Sequence, residues 1–243
     1  MQLIGHRGCP AHAPENTVAA VRRAAPHVDA VEIDVQRCAS GELVVFHDET
    51  LGRLTDGSGR VRETPWDDLR DLVVRGVDPV DTVDTAAAPE RQRSAESHTS
   101  VDVTVPLLSD LLTAVPDDTA VNVELKHRGM AGEIVDHCER VPNEVFVSSF
   151  LPEALSELDA VGDLDTALLF AESWDRNVET AMELGCSFLH PEYRLCLDEP
   201  GHIEAAHDAG FAVNAWTVPT ATAAEQLISN GVDGLILDDW TVV

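Results

Sequence analysis

The chain has 243 residues, of which 44% are hydrophobic, and its formal net charge is −28. This length suits one large α/β domain or two small ones, and the hydrophobic content is enough to bury a full core, which excludes wholesale disorder. The acidic charge argues against binding to nucleic acid or to an anionic membrane, because both would repel it.

The first residues and the charge lead to expectations about where the protein works. The N-terminus lacks the charged region, apolar stretch and cleavage site of a signal peptide, and no apolar run is long enough to cross a bilayer. We therefore expect a cytoplasmic protein without a membrane anchor, and we interpret its five scattered cysteines as free thiols. An acidic coat suits very high salt, where self-repulsion is screened, and this indicates a halophilic source. The oligomeric state stays open.

Short β-branched runs alternate with longer amphipathic stretches along the chain, a pattern typical of a parallel α/β fold. Eight runs are predicted strands: residues 3–5, 30–35, 120–125, 145–149, 166–170, 187–190, 211–216 and 234–237. Eight parallel strands close a TIM barrel, so the sequence predicts a (β/α)8 barrel.

Helices are predicted between the strands. The first opens at Pro14-Glu15-Asn16-Thr17, with a proline and an acid in its first turn. Further amphipathic stretches are predicted helices: residues 152–161, 177–184, 203–209 and 221–228. Gly185, Gly210 and Gly231 follow the last three as expected C-terminal caps.

One apolar run, residues 43–46, departs from the alternation. The link from Val35 is too short for a crossover helix, because parallel strands need about a dozen connecting residues. Ser40-Gly41 supplies turn chemistry, so residues 30–46 should form an extended hairpin. Its return arm would carry His47 back to the mouth of the barrel.

Between residues 48 and about 105 the alternation lapses, which indicates an insertion within one domain spanning residues 1–243. A helix is predicted to start at residues 64–67 and to run to about residue 74. Residues 77–103 are polar with little periodicity, and we interpret them as a flexible loop. A helical pattern resumes over residues 106–112.

Polar side chains follow the predicted strands at their C-terminal ends, where TIM-barrel active sites lie. Glu32 and Asp34 are spaced i and i+2 on the second predicted strand, so both point to one face. Glu124 and Lys126 have the same spacing on the third. The other polar and aromatic candidates stand at strand ends or on the hairpin: His6, Arg7, His47, Asp48, Asn214, Trp216 and Asp238.

The three carboxylates of Glu32, Asp34 and Glu124 would repel one another at a shared mouth unless positive charge offsets them. Hard oxygen ligands suit Mg²⁺ or Ca²⁺ better than zinc. The alternative is a structural ion network in which they pair with Arg7 and Lys126. Lys126 is the single lysine of a chain that otherwise uses arginine, which indicates a position that requires an ammonium group.

This mixture of groups fits the cleavage of a phosphodiester. A metal with Arg7 and Lys126 would neutralise the non-bridging oxygens. One of the two histidines, His6 or His47, would serve as base for the nucleophile and the other as acid for the leaving alcohol, because imidazole titrates near neutral pH. For either histidine alone, a buried structural role is the simpler interpretation, and the pairing beside carboxylates is what favours catalysis.

Several short motifs, in order and at matching spacing, resemble the glycerophosphodiester phosphodiesterase family. They are His6-Arg7-Gly8, Pro14-Glu15-Asn16-Thr17, Glu32-Ile33-Asp34-Val35, Val45-Phe46-His47-Asp48, Arg53-Leu54-Thr55, Val123-Glu124-Leu125-Lys126, Ser148-Ser149-Phe150, Ala215-Trp216-Thr217-Val218 and Gly231-Val232-Asp233-Gly234. The resemblance spans nearly the whole chain, and the motifs before residue 60 are its most specific part.

The resemblance implies a TIM barrel with an insertion after the His-Asp motif. It implies hydrolysis of a glycerophosphodiester to glycerol phosphate and an alcohol, in glycerol and lipid metabolism. His6 and His47 would be the general acid and base, without a decision as to which is which. Glu32, Asp34 and Glu124 would bind a divalent cation, Mg²⁺ or Ca²⁺.

The resemblance extends to the residues around the substrate. Arg7 and Lys126 are similar to phosphate-contacting residues of the family, and Phe150 and Trp216 are similar to residues that line the alcohol side of the pocket. The long acidic insertion departs from the family pattern, so the identity of the alcohol stays open.

Three residues carry weaker expectations. Glu15 would orient Arg7 or cap its helix, and His190 and Asp238 would either reach the rim of the pocket or have ordinary structural roles. Two other functions are also open. A phospholipase-like barrel acting on intact or lyso lipids is disfavoured by the acidic surface and the missing apolar anchor. A catalytically silent protein that binds phosphorylated ligands is disfavoured because binding alone needs no acid–base pair.

Overall fold

The computed structural model describes residues 1–76 and 103–243. Within these ranges, nine strands belong to one sheet. Their bounds are β1 Gln2–Gly5, β2 Ala30–Arg37, β3 Leu43–Val45, β4 Ala120–Leu125, β5 Val145–Ser149, β6 Thr166–Phe170, β7 Phe188–Pro191, β8 Ala212–Val218 and β9 Gly234–Leu237.

Eight of these strands close into the predicted TIM barrel. In space they follow the order β1, β9, β8, β7, β6, β5, β4, β2, and β1 also pairs with β2. Every one of these pairings is parallel. The predicted barrel is therefore confirmed, and each predicted strand corresponds to an observed one.

Helices connect the strands on the outside of the barrel. In the described ranges they are α1 Val18–Ala24, α2 Trp66–Leu69, α3 Leu108–Ala114, α4 Ala131–Cys138, α5 Pro152–Asp159, α6 Trp174–Leu184, α7 Tyr193–Asp198, α8 Gly201–Asp208 and α9 Ala221–Asn230. None of them is long and apolar enough to span a bilayer. The expected caps are present: Gly185 and Gly231 end α6 and α9 in the left-handed conformation, and Gly210, which follows α8, has a positive φ of 94°.

The core is divided by the barrel wall. Strand residues that point outward pack with the helices in one large apolar cluster. A small cluster fills the inside of the barrel and contains Ile4, Ala30, Ala120, Phe146 and Ile236. Because both faces of the strands are covered, they are nearly continuous apolar runs, and the polar residues that interrupt them stand out.

The predicted hairpin is also confirmed. β3 pairs antiparallel with the end of β2, with Val35 opposite Val45 and Arg37 opposite Leu43. The described part of the insertion packs against this hairpin through a separate apolar cluster that includes Phe46, Leu51 and Leu69. His47 and Asp48 therefore follow a strand that is fixed from both sides.

Two details of the insertion differ from expectation. The helix predicted to reach about residue 74 ends at Leu69, because the chain beyond it forms backbone hydrogen bonds with residues 103 and 105. The segment interpreted as a flexible loop, residues 77–103, lies outside the described residues except for Val103.

Candidate active site

The first strand delivers His6 and Arg7 through a strained turn. β1 ends at Gly5, and the 3-10 turn that follows has Arg7 at φ 51° and Gly8 at φ 74°. A Cβ at Gly8 would lie 2.7 Å from Ala20 of α1, so glycine is required for this close approach. The left-handed backbone of a bulky arginine is uncommon and costs conformational energy, which is typical of functional sites.

Three buried carboxylates stand side by side on neighbouring strands. Glu32 and Asp34 alternate along β2, and the strand register places Asp34 opposite Glu124 of β4. The residues are 3%, 0% and 7% exposed. One oxygen of each lies within 4.8 Å of the others. The sequence predicted this convergence from the i, i+2 spacing and the neighbouring strand ends.

Two cations offset part of this negative charge. Arg7 Nε lies 3.3 Å from Asp34 Oδ2, and Lys126 Nζ lies 3.1 Å from Asp34 Oδ1 and 2.5 Å from Glu124 Oε1. Burial raises the pKa of Asp34, but the charges of Lys126 and Arg7 outweigh burial and leave this pKa below its ordinary value. Part of the alternative ion network is therefore present.

The network does not neutralise Glu32. Its Oε2 accepts the backbone N–H of Arg7 at 2.8 Å, while its buried Oε1 has no hydrogen-bond partner within the described ranges. Burial and the charge of Asp34 raise the pKa of Glu32 to about 8, and burial with Asp34 also raises that of Glu124. An unpartnered buried carboxylate oxygen beside two further carboxylates fits a hard divalent cation.

Each histidine of the predicted pair is oriented by an aspartate. His6 Nδ1 lies 2.6 Å from Asp238 Oδ1, and His47 Nδ1 lies 2.7 Å from Asp48 Oδ1. An Nδ1–H that donates to a carboxylate leaves Nε2 as the nitrogen available for proton transfer. Both imidazoles contribute to the wall of one cavity.

The environments of the two histidines move their pKa values in opposite directions. Burial lowers the pKa of His6, but the hydrogen bond with Asp238 and the charge of Glu32 outweigh burial, so the pKa lies above its ordinary value. Burial also lowers the pKa of His47, and together with nearby cations it outweighs the opposing effects of the Asp34 charge and the Asp48 hydrogen bond, so this pKa lies below its ordinary value. Relative to a free imidazole, the site therefore favours the protonated form of His6 and the neutral form of His47.

The cavity at the barrel mouth has a volume of about 200 Å³. Nine residues were assigned catalytic, metal-binding or substrate-binding roles from the sequence, and eight of them line the cavity: His6, Arg7, Glu32, His47, Glu124, Lys126, Phe150 and Trp216. Asp34, the ninth, is fully buried and contacts Arg7 and Lys126 instead. The cavity thus combines carboxylates, cations and imidazoles.

An aromatic pair gives the cavity an apolar side. Phe150 follows β5 and is 44% exposed, and its ring meets Trp216 of β8 edge to face at 5.4 Å. Trp216 is fixed because its Nε1 donates to the carbonyl of His190 at 2.7 Å. A polar group held at the carboxylates would have its attached organic part beside these rings.

The expectations for Glu15, Asp238 and His190 have different outcomes. Glu15 accepts a hydrogen bond from Arg7 Nη1 at 2.9 Å, which fits the expected orienting role. Asp238 reaches the site through His6. His190 does not reach the rim, because it is fully buried with Nε2 3.1 Å from Asn214 Nδ2, and burial lowers its pKa to about 3.

Sequence reasoning missed several supporting residues. Asn16 Nδ2 donates to Asp34 Oδ2 at 2.7 Å, and Gln36 Nε2 lies within 3.1 Å of the carbonyl oxygens of residues 46, 47 and 48. Gln36 continues the i, i+2 series of β2, which was an available signal. Asn122 and Ser148 are buried in the cavity wall, and their alternation with Glu124 and Phe150 was a comparable one.

Comparison with known sequences identifies a family to which the chain is similar. The chain matches the model of the glycerophosphoryl diester phosphodiesterase family over residues 6–242. A glycerophosphodiester phosphodiesterase of Caldanaerobacter subterraneus subsp. tengcongensis is 30% identical over 251 aligned residues, which cover 98% of this chain and 93% of the relative.

Solved structures agree with this match. A phosphodiesterase of Oleispira antarctica, solved in complex with the product sn-glycerol-3-phosphate, is 26% identical with a TM-score of 0.80, over 98% of this chain and 93% of the other. A glycerophosphodiester phosphodiesterase of Thermotoga maritima, 23% identical over 99% of this chain and 95% of the other, has the same fold with a TM-score of 0.78.

Proposed function

The chain belongs to the glycerophosphoryl diester phosphodiesterase family, and from this premise we propose that it hydrolyses glycerophosphodiesters to glycerol phosphate and an alcohol with a divalent cation and a pair of histidines. One observation carries the proposal. The imidazoles of His6 and His47 and the carboxylates of Glu32 and Glu124 line a single cavity, although they come from segments far apart in the chain.

Glu32, Asp34 and Glu124 would hold the cation, which is Mg²⁺ or Ca²⁺ according to the all-oxygen donor set. The unpartnered Oε1 of Glu32 and the raised pKa values of Glu32 and Glu124 support this assignment. When bound, the ion supplies positive charge to the non-bridging oxygens of the phosphate.

Arg7 and Lys126 contribute charge from the protein itself. Both line the cavity and are held by carboxylates, Arg7 by Glu15 and Lys126 by Glu124. Charged groups fixed before the reaction stabilise the developing charge of the transition state without reorganising. We therefore assign them to the binding of the phosphate group.

The histidines transfer the protons. The base accepts the proton of the attacking hydroxyl, whether this belongs to water or to the glycerol part of the substrate, and the acid donates a proton to the departing alcohol oxygen. A pair with pKa values displaced in opposite directions is typical of such roles. The directions favour His6 as the acid and His47 as the base.

The aromatic pair would contact the alcohol part of the substrate. Phe150 and Trp216 form the apolar side of the cavity, so a carbon-bearing group attached to the phosphate could bury surface there. This contact is nonspecific, which fits a range of alcohols rather than one.

Single substitutions of the histidines test the proposal. Turnover of glycerophosphocholine and glycerophosphoethanolamine is measured with Mg²⁺ or Ca²⁺ for His6→Ala, His47→Ala and His207→Ala. His207 is the matched control, because it also pairs with an aspartate, Asp233 at 2.8 Å, but on the outside of the barrel. Loss of one proton-transfer group should lower kcat about 10²–10⁴-fold.

The control variant should keep wild-type turnover. Turnover near wild type in both His6→Ala and His47→Ala would contradict the proposal, as would full activity after removal of metal by a chelator. Micellar lysophospholipid in the same assay tests the phospholipase-like alternative, which predicts faster cleavage of the micellar substrate than of the water-soluble ones.

A further inference from the structure

Arg53 links two parts of the candidate active site. It lies at the end of a 3-10 turn, Leu51–Arg53, in the insertion after β3. Its guanidinium contacts Asp48 with two nitrogens, Nε to Oδ2 at 2.5 Å and Nη2 to Oδ1 at 2.9 Å. The same Nη2 lies 2.8 Å from Glu15 Oε1.

Both partners of Arg53 contact residues of the cavity wall. Asp48 Oδ1, which accepts from Arg53, is also the oxygen 2.7 Å from His47 Nδ1. Glu15 Oε1, the other acceptor, also accepts from Arg7 Nη1 at 2.9 Å. Arg53 itself is absent from the cavity wall. Arg53 is therefore linked to His47 through Asp48 and to Arg7 through Glu15.

We infer that Arg53 is a positioning residue, which acts on the phosphodiesterase reaction by fixing the Asp48 carboxylate that orients His47, with Glu15 as its anchor. The inference rests on the proposed function, because it presumes that His47 transfers a proton. The sequence motifs do not predict the contact between Arg53 and Glu15, since the two residues are 38 positions apart in the chain.

The geometry explains why an arginine occupies this position. Asp48 has two oxygens, and a carboxylate held at a single oxygen could rotate about its bond to Cβ. A planar guanidinium that binds both oxygens prevents this rotation and also sets the direction of the imidazole that Asp48 holds. An ammonium group would supply the charge without the fixed two-point contact.

A positioning role must be distinguished from a general contribution of Arg53 to stability. The insertion contains a matched control for this, a second arginine–carboxylate pair. Arg60 Nη1 contacts Glu49 Oε2 at 3.0 Å, in the same segment and with the same pair of chemical groups. Both side chains of that pair are exposed, and neither residue lines the cavity. Arg60→Gln therefore removes an arginine–carboxylate contact without disturbing His47.

The test compares the kinetics of wild type, the control Arg60→Gln and four further variants of the full chain: Arg53→Gln, Arg53→Lys, Asp48→Asn and the double variant Asp48→Asn/Arg53→Gln. Thermal unfolding is recorded for each, and Arg53→Lys preserves the charge if Arg53→Gln is too unstable to assay. Loss of a group that orients a catalytic side chain costs about 10–100-fold, so we expect kcat of Arg53→Gln and Arg53→Lys to fall by that factor. Arg60→Gln should stay within twofold of wild type.

The pH profile separates positioning from structure. Without the positive charge of Arg53, the Asp48 carboxylate stabilises protonated His47 more strongly, so the limb of the kcat profile due to His47 moves to higher pH in Arg53→Gln. In Asp48→Asn it moves to lower pH. In Arg53→Lys, which keeps the charge, it stays in place although kcat falls. A merely structural loss lowers activity equally at all pH values.

Non-additivity is the final criterion. If Arg53 acts through Asp48, Arg53→Gln costs several-fold less in the Asp48→Asn background than in wild type. Equal losses in both backgrounds, or kcat of Arg53→Gln matching that of Arg60→Gln, would overturn the inference. Turnover of His47→Ala shows whether a negative result removes the proposed function or only the positioning role of Arg53. Wild-type turnover in that variant removes the proposed function, whereas an inactive His47→Ala beside an unaffected Arg53→Gln removes only the positioning role.

Discussion

The protonation of Glu32 predicts how the stability of the metal-free protein depends on pH. Burial, followed by the charge of Asp34, raises the pKa of Glu32 to about 8 from an ordinary value of 4.5. The folded state therefore binds the proton more tightly than the unfolded chain does. Between these two values the folded state carries more protons, so the free energy of unfolding decreases as pH rises through the window.

The size of this effect follows from the pKa difference. A difference of about 3.5, from 8 and 4.5, corresponds to about 5 kcal/mol at ~1.4 kcal/mol per pKa unit. For a chain of this size, 1 kcal/mol changes the melting temperature by about 2–4 °C. The Glu32 proton alone should therefore lower the melting temperature of the metal-free protein by about 10–20 °C between pH 4.5 and pH 8.

The assay is thermal unfolding of chelator-treated protein from pH 4.5 to pH 8 in one concentration of salt. Glu32→Gln carries an amide that cannot ionise, so the Glu32 contribution is the difference between wild type and this variant at each pH. Glu63→Gln, which alters an exposed side chain, is the control. We expect Glu32→Gln to be more stable than wild type at pH 8 without metal, and the advantage to vanish near pH 4.5.

Metal addition extends the same experiment. The cation should raise the melting temperature of wild type at pH 8 and have little effect on Glu32→Gln, because a ligand that binds the folded state stabilises it more the tighter it binds. Parallel melting curves for wild type and Glu32→Gln across the whole pH range would refute the reasoning that Glu32 carries an uncompensated buried charge.

Three further predictions concern the rest of the site and the surface. Asp238→Asn removes charge that raises the pKa of His6, so kcat should fall about 10–100-fold and the His6 limb of the pH profile should move to lower pH; an unmoved limb would refute this. Phe150→Ala should raise KM about 10-fold for substrates with a large alcohol, which equals about 1.4 kcal/mol of binding free energy, and should leave kcat nearly unchanged. Equal effects on glycerophosphodiesters with small and with large alcohols would contradict a contact between Phe150 and the alcohol. Because the net charge is −28, the melting temperature should rise as KCl increases from about 0.1 M to about 2 M by screening of self-repulsion; a flat or falling response would refute it.

The barrel and the convergence of the site could be predicted because both depend on short-range patterns. In a closed parallel barrel, the C-terminal ends of all strands meet at one mouth. Carboxylates spaced i and i+2, such as Glu32 and Asp34, therefore had to point to the same interior. The short link before residues 43–46 excluded a crossover and required the hairpin that carries His47.

Connections between side chains in loops could not be predicted in the same way. The contact of Arg53 with Glu15 joins residues 38 positions apart, and it depends on how the insertion packs against the first loop. The pairing of His6 with Asp238 depends likewise on barrel closure between β1 and β9. No local period encodes either contact.

One helix that was not predicted could have been recognised from the sequence. The unpredicted helix α4 buries Ala131, Ile134, Val135 and Cys138, an i, i+3, i+4, i+7 series that indicates an amphipathic helix. The predicted length of α2 was wrong for a different reason. Its pattern continues past Leu69, but tertiary hydrogen bonds to residues 103 and 105 compete with the helix there.

The most direct test of the central claim is the binding isotherm of Mg²⁺ or Ca²⁺, measured by calorimetry on chelator-treated protein beside turnover of glycerophosphocholine. We predict that His47→Ala binds the ion within about threefold of the wild-type Kd, a difference of about 0.7 kcal/mol, but barely turns over. Glu124→Gln should lose both binding and turnover. Wild-type protein that cleaves the substrate at full rate without binding either ion would contradict the account.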